Sequence, residues 1–275
     1  MTVYKWARAF DRFRLQAGGD NEDYLSGAKL GSRLVVEGVN KEFGGVAALR
    51  KLYLTVEPGA KLAVVGANGC GKTTLVNVIC GYERPDEGKV VLDGRDVTAA
   101  TPAAIARHGV ARGFQMPRVF GRLTTDENLI VARSCGRRPN EGRLRWAESW
   151  KSDSEINRIL GLIRLVHVRS ELAKNLSYGQ QKLLEIGGLL LTAPTLLLLD
   201  EPASGVDLTG RSVFQQVLGD ISGLGVTIVV IEHDMDFVAE FADCVSVMAD
   251  GAIVASGTPD EIIAGYADIA VHVGA

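Results

Sequence analysis

Two short segments hold the residue types best suited to chemistry. Gly66-Ala-Asn-Gly-Cys-Gly-Lys-Thr-Thr74 fits the pattern G-x-x-x-x-G-K-[ST] at Gly66, Gly71, Lys72 and Thr73. In such a loop consecutive backbone N–H groups turn inward around phosphates. Glycines let the chain come close, and the positive end of the following helix adds to the field. Lys72 supplies a point charge for the outer phosphates, and Thr73 offers a hydroxyl to Mg²⁺. Leu196-Leu-Leu-Leu-Asp200-Glu201-Pro202 is an apolar run ending in two acids. A strand of that kind delivers them to its carboxyl end, where α/β sheets place ligands. Asp200 is suited to holding Mg²⁺ through water, and Glu201 to orienting or deprotonating an attacking water.

These residues need elements to position them. Lys61–Val65 is a short apolar run just before the Gly-rich loop, and Thr74–Cys80 is apolar enough for a partly buried helix. This strand–loop–helix order is the setting a phosphate loop requires. Leu196–Leu199 and Val226–Ile231 are apolar on both faces, as expected of central strands in a parallel sheet covered by helices. Arg33–Val39 and Leu49–Val56 read as further strands, the second closed by the turn signal Pro58-Gly59. Gly88–Gly94 reads as a hairpin arm. Residues 121–175 are more polar and helix-like, with a charged loop near Arg137–Arg145, and Gly257–Glu261 starts a short final helix.

Bulk properties narrow the class. The chain has 275 residues, 47% of them hydrophobic and 23% charged, which is an ordinary globular balance. A net charge of −3 gives no reason to expect nucleic acid as a partner. No stretch approaches the roughly 18 apolar residues of a spanning helix, so a membrane role would need another chain. Cys70, Cys80, Cys135 and Cys244 lack metal-ligand spacing, and a reducing cytosol is the simplest home. No signal peptide is visible. Residues 1–16 carry Trp6, Phe10 and Phe13 at helical spacing among basic residues, and residues 18–32 read as a linker. That helix is open to three readings: an interfacial helix on anionic lipid, a segment packed on a partner, or a disordered leader.

Several single residues carry two readings each. Cys70 is either a thiol acidified by the helix start and Lys72 or a small filler of a tight loop. Phe43, ahead of Gly44-Gly45, is either a base-stacking aromatic or an ordinary core residue. Gln115 in Gly113-Phe-Gln115 is a weak Mg²⁺ ligand or a plain loop amide. His233 in Ile231-Glu-His-Asp is a polar surface residue unless its context makes it functional. His108, His167 and His272 have no comparable context. Ser177 in Leu176-Ser-Tyr-Gly-Gln180 is a good helix cap.

Taken in order, these segments resemble the ATP-binding cassette (ABC) family over roughly residues 33–260. The order is Phe43, the 66–74 loop, Gln115, Ser177-Tyr-Gly-Gln180, Asp200-Glu201, Ser204–Asp207 and His233. The resemblance implies an α/β fold: a P-loop ATPase core of mainly parallel sheet, an antiparallel β arm and a helical subdomain inserted at about 116–190. The domain division is then an extension and linker over 1–32 and the ATP-binding domain over 33–275. ATP and Mg²⁺ are the implied cofactors. Phe43, Gly66, Asn68, Gly69, Cys70, Gly71, Lys72, Thr73, Thr74 and Gln115 would bind nucleotide, and Thr73, Gln115 and Asp200 would serve the metal. Glu201 and His233 would be catalytic, the His reaching the γ-phosphate. Ser177, Gly179 and Gln180 would cap the ATP held by another subunit. Tyr178 stands where Gly is usual in the family.

A finer resemblance, in Phe43–Leu49, Gly113–Phe120, Leu176–Glu185 and Ile231–Phe237, is to the ATPase subunits of branched-chain amino acid importers, with related urea importers sharing much of it. It implies a peripheral ATPase on the cytoplasmic face of the inner membrane. Its partners would be a second ATPase subunit, identical or different, membrane permeases and, indirectly, a solute-binding protein. The stretch after His233 is expected to leave no room for an appended regulatory barrel. A soluble ABC protein acting on ribosomes or DNA is the competing class. Lys72 and Ser177 lie too close in sequence to hold the long coiled coil of the DNA-repair members, and one cassette is present where ribosome-acting members usually have two. A non-catalytic nucleotide-gated scaffold is a third reading, disfavoured by the presence of both Glu201 and His233.

Overall fold

The computed structural model describes residues 31–136 and 153–265. The helix expected over residues 1–16, most of the linker, the charged loop near Arg137–Arg145 and His272 lie outside the described residues. Ser32 is packed into the body: its hydroxyl donates to Asp93 Oδ2 at 2.8 Å and lies 2.6 Å from the Thr195 hydroxyl.

Strands β1 (Leu34–Phe43) and β2 (Val46–Val56) form an antiparallel hairpin. Gly44 and Gly45 turn it, with φ of 56° and 87°. Two successive positive φ values are what a tight hairpin turn requires, and glycine adopts them at little cost. β4 (Glu87–Leu92) pairs antiparallel with β1, and β5 (Arg95–Asp96) folds back on β4. This is the expected β arm, in order β2-β1-β4-β5.

The second sheet is the mainly parallel one. It uses β3 (Lys61–Val65), β6 (Val110–Gly113), β7 (Leu196–Asp200), β8 (Thr227–Ile231), β9 (Cys244–Ala249) and β10 (Ala252–Gly257). Their order is β10-β9-β3-β8-β7-β6, with only the β9–β10 pair antiparallel. Apolar residues on both faces of its strands explain its burial. Leu196 and Leu198 of β7 face one core with Leu62, Val64, Val229 and Ile231, while Leu197 and Leu199 face the other with Ala63, Val65, Ile228 and Val230. This is the period-two alternation of a strand covered on both sides.

Helix α1 (Lys72–Ile79) follows β3 and buries Leu75, Val76, Val78 and Ile79 in the core shared with the β arm. Helix α2 (Pro102–Arg107) precedes β6 and is capped by Thr101. Between β6 and β7 come α3 (Thr125–Gly136), α4 (Asp153–Leu162) and α5 (Tyr178–Leu190). α6 (Leu208–Gly223) and α7 (Met235–Phe241) precede β8 and β9. Phe214, Val217, Phe237 and Val238 join the core on the far face of the parallel sheet, with Leu183, Leu184 and Ile186 of α5. Among the described residues no helix is long and apolar enough to cross a membrane.

The strand order decides where chemistry can occur. β3, β8, β7 and β6 are consecutive parallel neighbours, so their carboxyl ends lie along one edge of the sheet. The segments leaving that edge carry residues 66–71, His233, Asp200-Glu201 and Gln115.

Candidate functional site

The loop between β3 and α1 needs its glycines. Gly71 has φ 107°, and a Cβ there would lie 2.3 Å from the Ala48 carbonyl oxygen and 2.8 Å from the Met248 methyl. The loop is thus pressed against β2 and β9, and the Gly251 N–H also donates to the Cys70 carbonyl at 3.0 Å. Lys72 is buried, and its Nζ donates to the carbonyls of Gly66 (2.7 Å) and Ala67 (2.8 Å). The ammonium therefore lies under the loop's own backbone. Asn68, Gly69 and Thr73 are exposed, while Gly66, Cys70, Gly71 and Thr74 are half-buried. Cys70 Sγ lies 3.8 Å from Lys72 Nζ. Phe43 is 45% exposed at the tip of the β1–β2 hairpin, with Lys41 Nζ 5.1 Å from its ring centroid. It belongs to neither core, which removes the core reading.

The acids stand at the end of β7. Burial raises the Asp200 pKa above the usual carboxylate value, and the Arg112 guanidinium, 3.5 Å away, acts in the opposite direction. Arg112 also donates to Asn77 Oδ1 of α1 at 2.7 Å. Glu201 adopts φ 45°, a left-handed conformation uncommon for a non-glycine residue and a mark of local strain. Its N–H donates to the Ile231 carbonyl at 2.9 Å. One carboxylate oxygen accepts from Gln115 Nε2 at 2.7 Å, and the other lies 4.0 Å from His233 Nδ1. Three residues far apart in sequence thus meet at one carboxylate.

The turn after Glu201 is held from two sides. Lys182 of α5 is 2% exposed, and its Nζ donates to the carbonyls of Glu201 (2.8 Å), Pro202 (3.0 Å) and Ser204 (2.9 Å). Burial lowers its pKa, and Glu232 leads the nearby acids that raise it. Glu232 is buried, and its carboxylate accepts from the N–H of Ala203 at 2.9 Å and of His233 at 3.3 Å. It joins the turn to the His233 segment. Burial raises its pKa despite these bonds. Asp207 caps α6, Asp234 caps α7, and Arg211 of α6 pairs with Asp234.

Ser177 begins α5 in a capping box. Its hydroxyl accepts from the Gln180 N–H at 3.3 Å, and the Gln180 side-chain oxygen accepts from the Ser177 N–H at 2.9 Å. Such a cap is worth about 1 kcal/mol. Ser177 is exposed, and Gly179 packs against Val206. Among the described residues no hydrogen bond or ion pair joins Ser177, Gly179 or Gln180 to the 66–74 loop. The structure therefore groups Gln115, Asp200, Glu201 and His233 at the edge where that loop emerges, and among the described residues gives the start of α5 no bond to that loop.

Sequence reasoning missed Arg112, Lys182, Glu185 and Glu232. The spacing of Tyr178, Lys182 and Glu185 on one helical face was the available signal for two of them. An acid at the end of the wholly buried β8 was the signal for Glu232. Thr73, Asp200 and Gln115 offer only oxygen donors, suited to a hard cation such as Mg²⁺ that keeps water and phosphate oxygens as its other ligands.

The family profile described as ABC transporter matches residues 49–204. A probable branched-chain amino acid transport ATP-binding protein, LivG, of Archaeoglobus fulgidus is 35% identical over 249 residues, covering 88% of this chain and 95% of that protein. The high-affinity branched-chain amino acid transport ATP-binding protein LivG of Escherichia coli K12 is 34% identical, with 83% and 92% covered. Among solved structures, a nucleotide-free ATP-binding cassette from an ABC transporter aligns with TM-score 0.72 and 32% identity, over 86% of this chain and 95% of that one. The ADP conformation of MJ1267, an ATP-binding cassette of an ABC transporter, aligns with TM-score 0.74 and 31% identity, over 89% and 99%.

Proposed function

This chain belongs to the ABC transporter family, and we propose that it is the ATP-hydrolysing subunit of an importer for branched-chain amino acids. The observation that carries the catalytic reading is the meeting of Gln115 and His233 at the Glu201 carboxylate, on the sheet edge where the 66–74 loop emerges. The solute comes from relatives named for branched-chain amino acid transport.

In this reading the N–H groups of residues 66–74 surround the phosphates of ATP, and Lys72 swings from the Gly66 and Ala67 carbonyls to the outer phosphates. Exposed Phe43 stacks on adenine. Glu201 orients or deprotonates the attacking water, and His233 reaches the γ-phosphate. Thr73, Asp200 and Gln115 hold Mg²⁺, which neutralises phosphate charge when bound. Asp200 pairs with Arg112 at 3.5 Å, and a bound cation would supply its carboxylate with a second positive partner.

Ser177, Gly179 and Gln180 act in trans. The capping box engages the Ser177 and Gln180 N–H groups, and the exposed helix start presents the Gly179 N–H and, on opening of the box, the Ser177 hydroxyl to ATP held by a second cassette, identical or different. Two such contacts close a dimer on nucleotide binding, and hydrolysis reopens it. The chain then sits peripherally on the cytoplasmic face of the membrane, against permease subunits that receive substrate from a solute-binding protein.

The test is uptake of radiolabelled leucine, isoleucine, valine and urea in the source organism with and without this gene. Loss of branched-chain uptake, restored by the wild-type chain and not by Glu201→Gln, is the expected result. Loss of urea uptake alone would overturn the substrate, and unchanged uptake of all four would overturn the importer reading.

A further inference from the structure

One face of α5 grips both loops that meet at the candidate site. Tyr178, Lys182 and Glu185 are four and seven positions along a helix, so they lie on one side over two turns. Lys182 holds the carbonyls of the turn after Glu201, as described above. Tyr178 and Glu185 hold the other loop. The Tyr178 hydroxyl donates to the Gln115 carbonyl at 3.0 Å. The Glu185 carboxylate accepts from the Arg118 N–H at 3.3 Å. The loop is thus tied to one helix at the Gln115 carbonyl and at the N–H of Arg118, three residues on. The Tyr178 ring also covers Gly205, where an added Cβ would lie 3.0 Å from Cε1, and its centroid is 5.2 Å from Lys182 Nζ.

We propose that Tyr178 is a positioning residue for ATP hydrolysis, its hydroxyl fixing the Gln115 backbone to the helix that begins at Ser177. The proposal rests on the site reading above. The register of the Gln115 amide against Glu201 is then set by the same helix that presents Ser177 to the partner's nucleotide. A glycine at position 178, the usual residue in the family, has neither the hydroxyl nor the ring to make this link. Burial, and then the Glu185 charge, push the Tyr178 hydroxyl further above neutrality, so it remains a donor at working pH. Among the described residues Tyr178 makes no hydrogen bond to the 66–74 loop, so its contribution is read in turnover at saturating ATP.

Tyr178→Phe in the full-length chain removes the hydroxyl and keeps the ring over Gly205. The expected result is a three- to tenfold fall in kcat, the range that loss of about one hydrogen bond gives. Tm should fall by no more than about 2–4 °C, the scale of one hydrogen bond, and kcat is read at saturating ATP and Mg²⁺. The decisive comparison repeats the substitution in a Gln115→Ala background. There the side chain being positioned is already gone, so Tyr178→Phe should cost little more. An equal fall in both backgrounds, or an unchanged kcat in the wild-type background, would overturn the proposal. Glu201→Gln measured alongside separates the two claims. Sustained turnover in that variant means the site reading itself has failed. An inactive Glu201→Gln with a fully active Tyr178→Phe means only the positioning role has failed.

Discussion

The Gln115 side-chain amide donates from Nε2 to Oε2 of Glu201 at 2.7 Å. The two residues leave neighbouring parallel strands, β6 and β7, at the same edge of the sheet. The bond occupies one oxygen of the proposed general base. His233 Nδ1 stands 4.0 Å from the other oxygen, nearer than an unrelated surface residue but beyond a direct hydrogen bond. The Gln115 bond therefore orients the carboxylate and leaves the oxygen facing His233 to meet a water.

Cys70 gives a local probe of the loop. The residue is half-buried, its Sγ lies 3.8 Å from Lys72 Nζ, and a Cβ on Gly66 would approach that sulfur to 2.9 Å, so a group added to the sulfur would crowd the loop. Maleimide labelling of Cys70 should abolish ATP binding, and ATP should slow the labelling. Mass spectrometry of the labelled peptide with a nucleotide-binding assay reads both. Unchanged activity after stoichiometric labelling at Cys70 would count against the loop as the binding site.

Lys182 is predicted to matter for stability as well as for the site. Lys182→Met keeps much of the volume but leaves the carbonyls of Glu201, Pro202 and Ser204 without their shared donor. Unsatisfied buried acceptors and the lost charged bonds should cost about 2–3 kcal/mol. For a chain of this size that is a fall in Tm of roughly 4–9 °C by calorimetry. A Tm within a degree of wild type would show that the carbonyls find other donors.

Glu185 makes stability depend on pH. Burial raises its pKa to about 7 from 4.5, against the opposing pull of the Arg118 and Phe114 N–H groups and the Lys182 and Arg118 charges. An acid raised on folding keeps its proton in the native state while the unfolded chain has lost it. Its contribution is therefore fully present below about pH 4.5 and is lost as pH rises to about 7, with no further change above. Glu185→Gln stays neutral throughout. Relative to wild type, this variant should gain on the order of 3 kcal/mol between those limits. Urea unfolding of both proteins across that range measures the difference and cancels the titration of Asp200 and Glu232, whose pKa values burial also raises. A constant difference would mean that folding does not shift the Glu185 pKa.

Much of this architecture was legible because its signals are local. A Gly-rich loop between an apolar strand and a helix, and apolar runs with no polar face, each fix an element by periodicity and turn chemistry alone. Asp200 and Glu201 were visible because they end such an element, whereas Gln115 and His233 were singled out by the resemblance to the family. What was not legible is what depends on tertiary approach. Arg112 sits in the middle of β6, and nothing in the sequence says that it faces Asp200. Lys182 reads as a surface residue of a polar helix start, yet it is nearly fully buried under three carbonyls. Tyr178 was visible as a departure from the family pattern, but its bond to the Gln115 carbonyl spans 63 positions and appears only in the fold.

The most direct measurement is ATP turnover and light scattering on the Glu201→Gln chain beside wild type. The account predicts that turnover falls by about 10²–10⁴-fold, the usual scale for loss of a general base. ATP still binds, and the variant accumulates as an ATP-dependent dimer because the closed state is no longer relieved by hydrolysis. Near-normal hydrolysis by Glu201→Gln would contradict the account, because the carboxylate on which Gln115 and His233 converge would then not be the group that activates water.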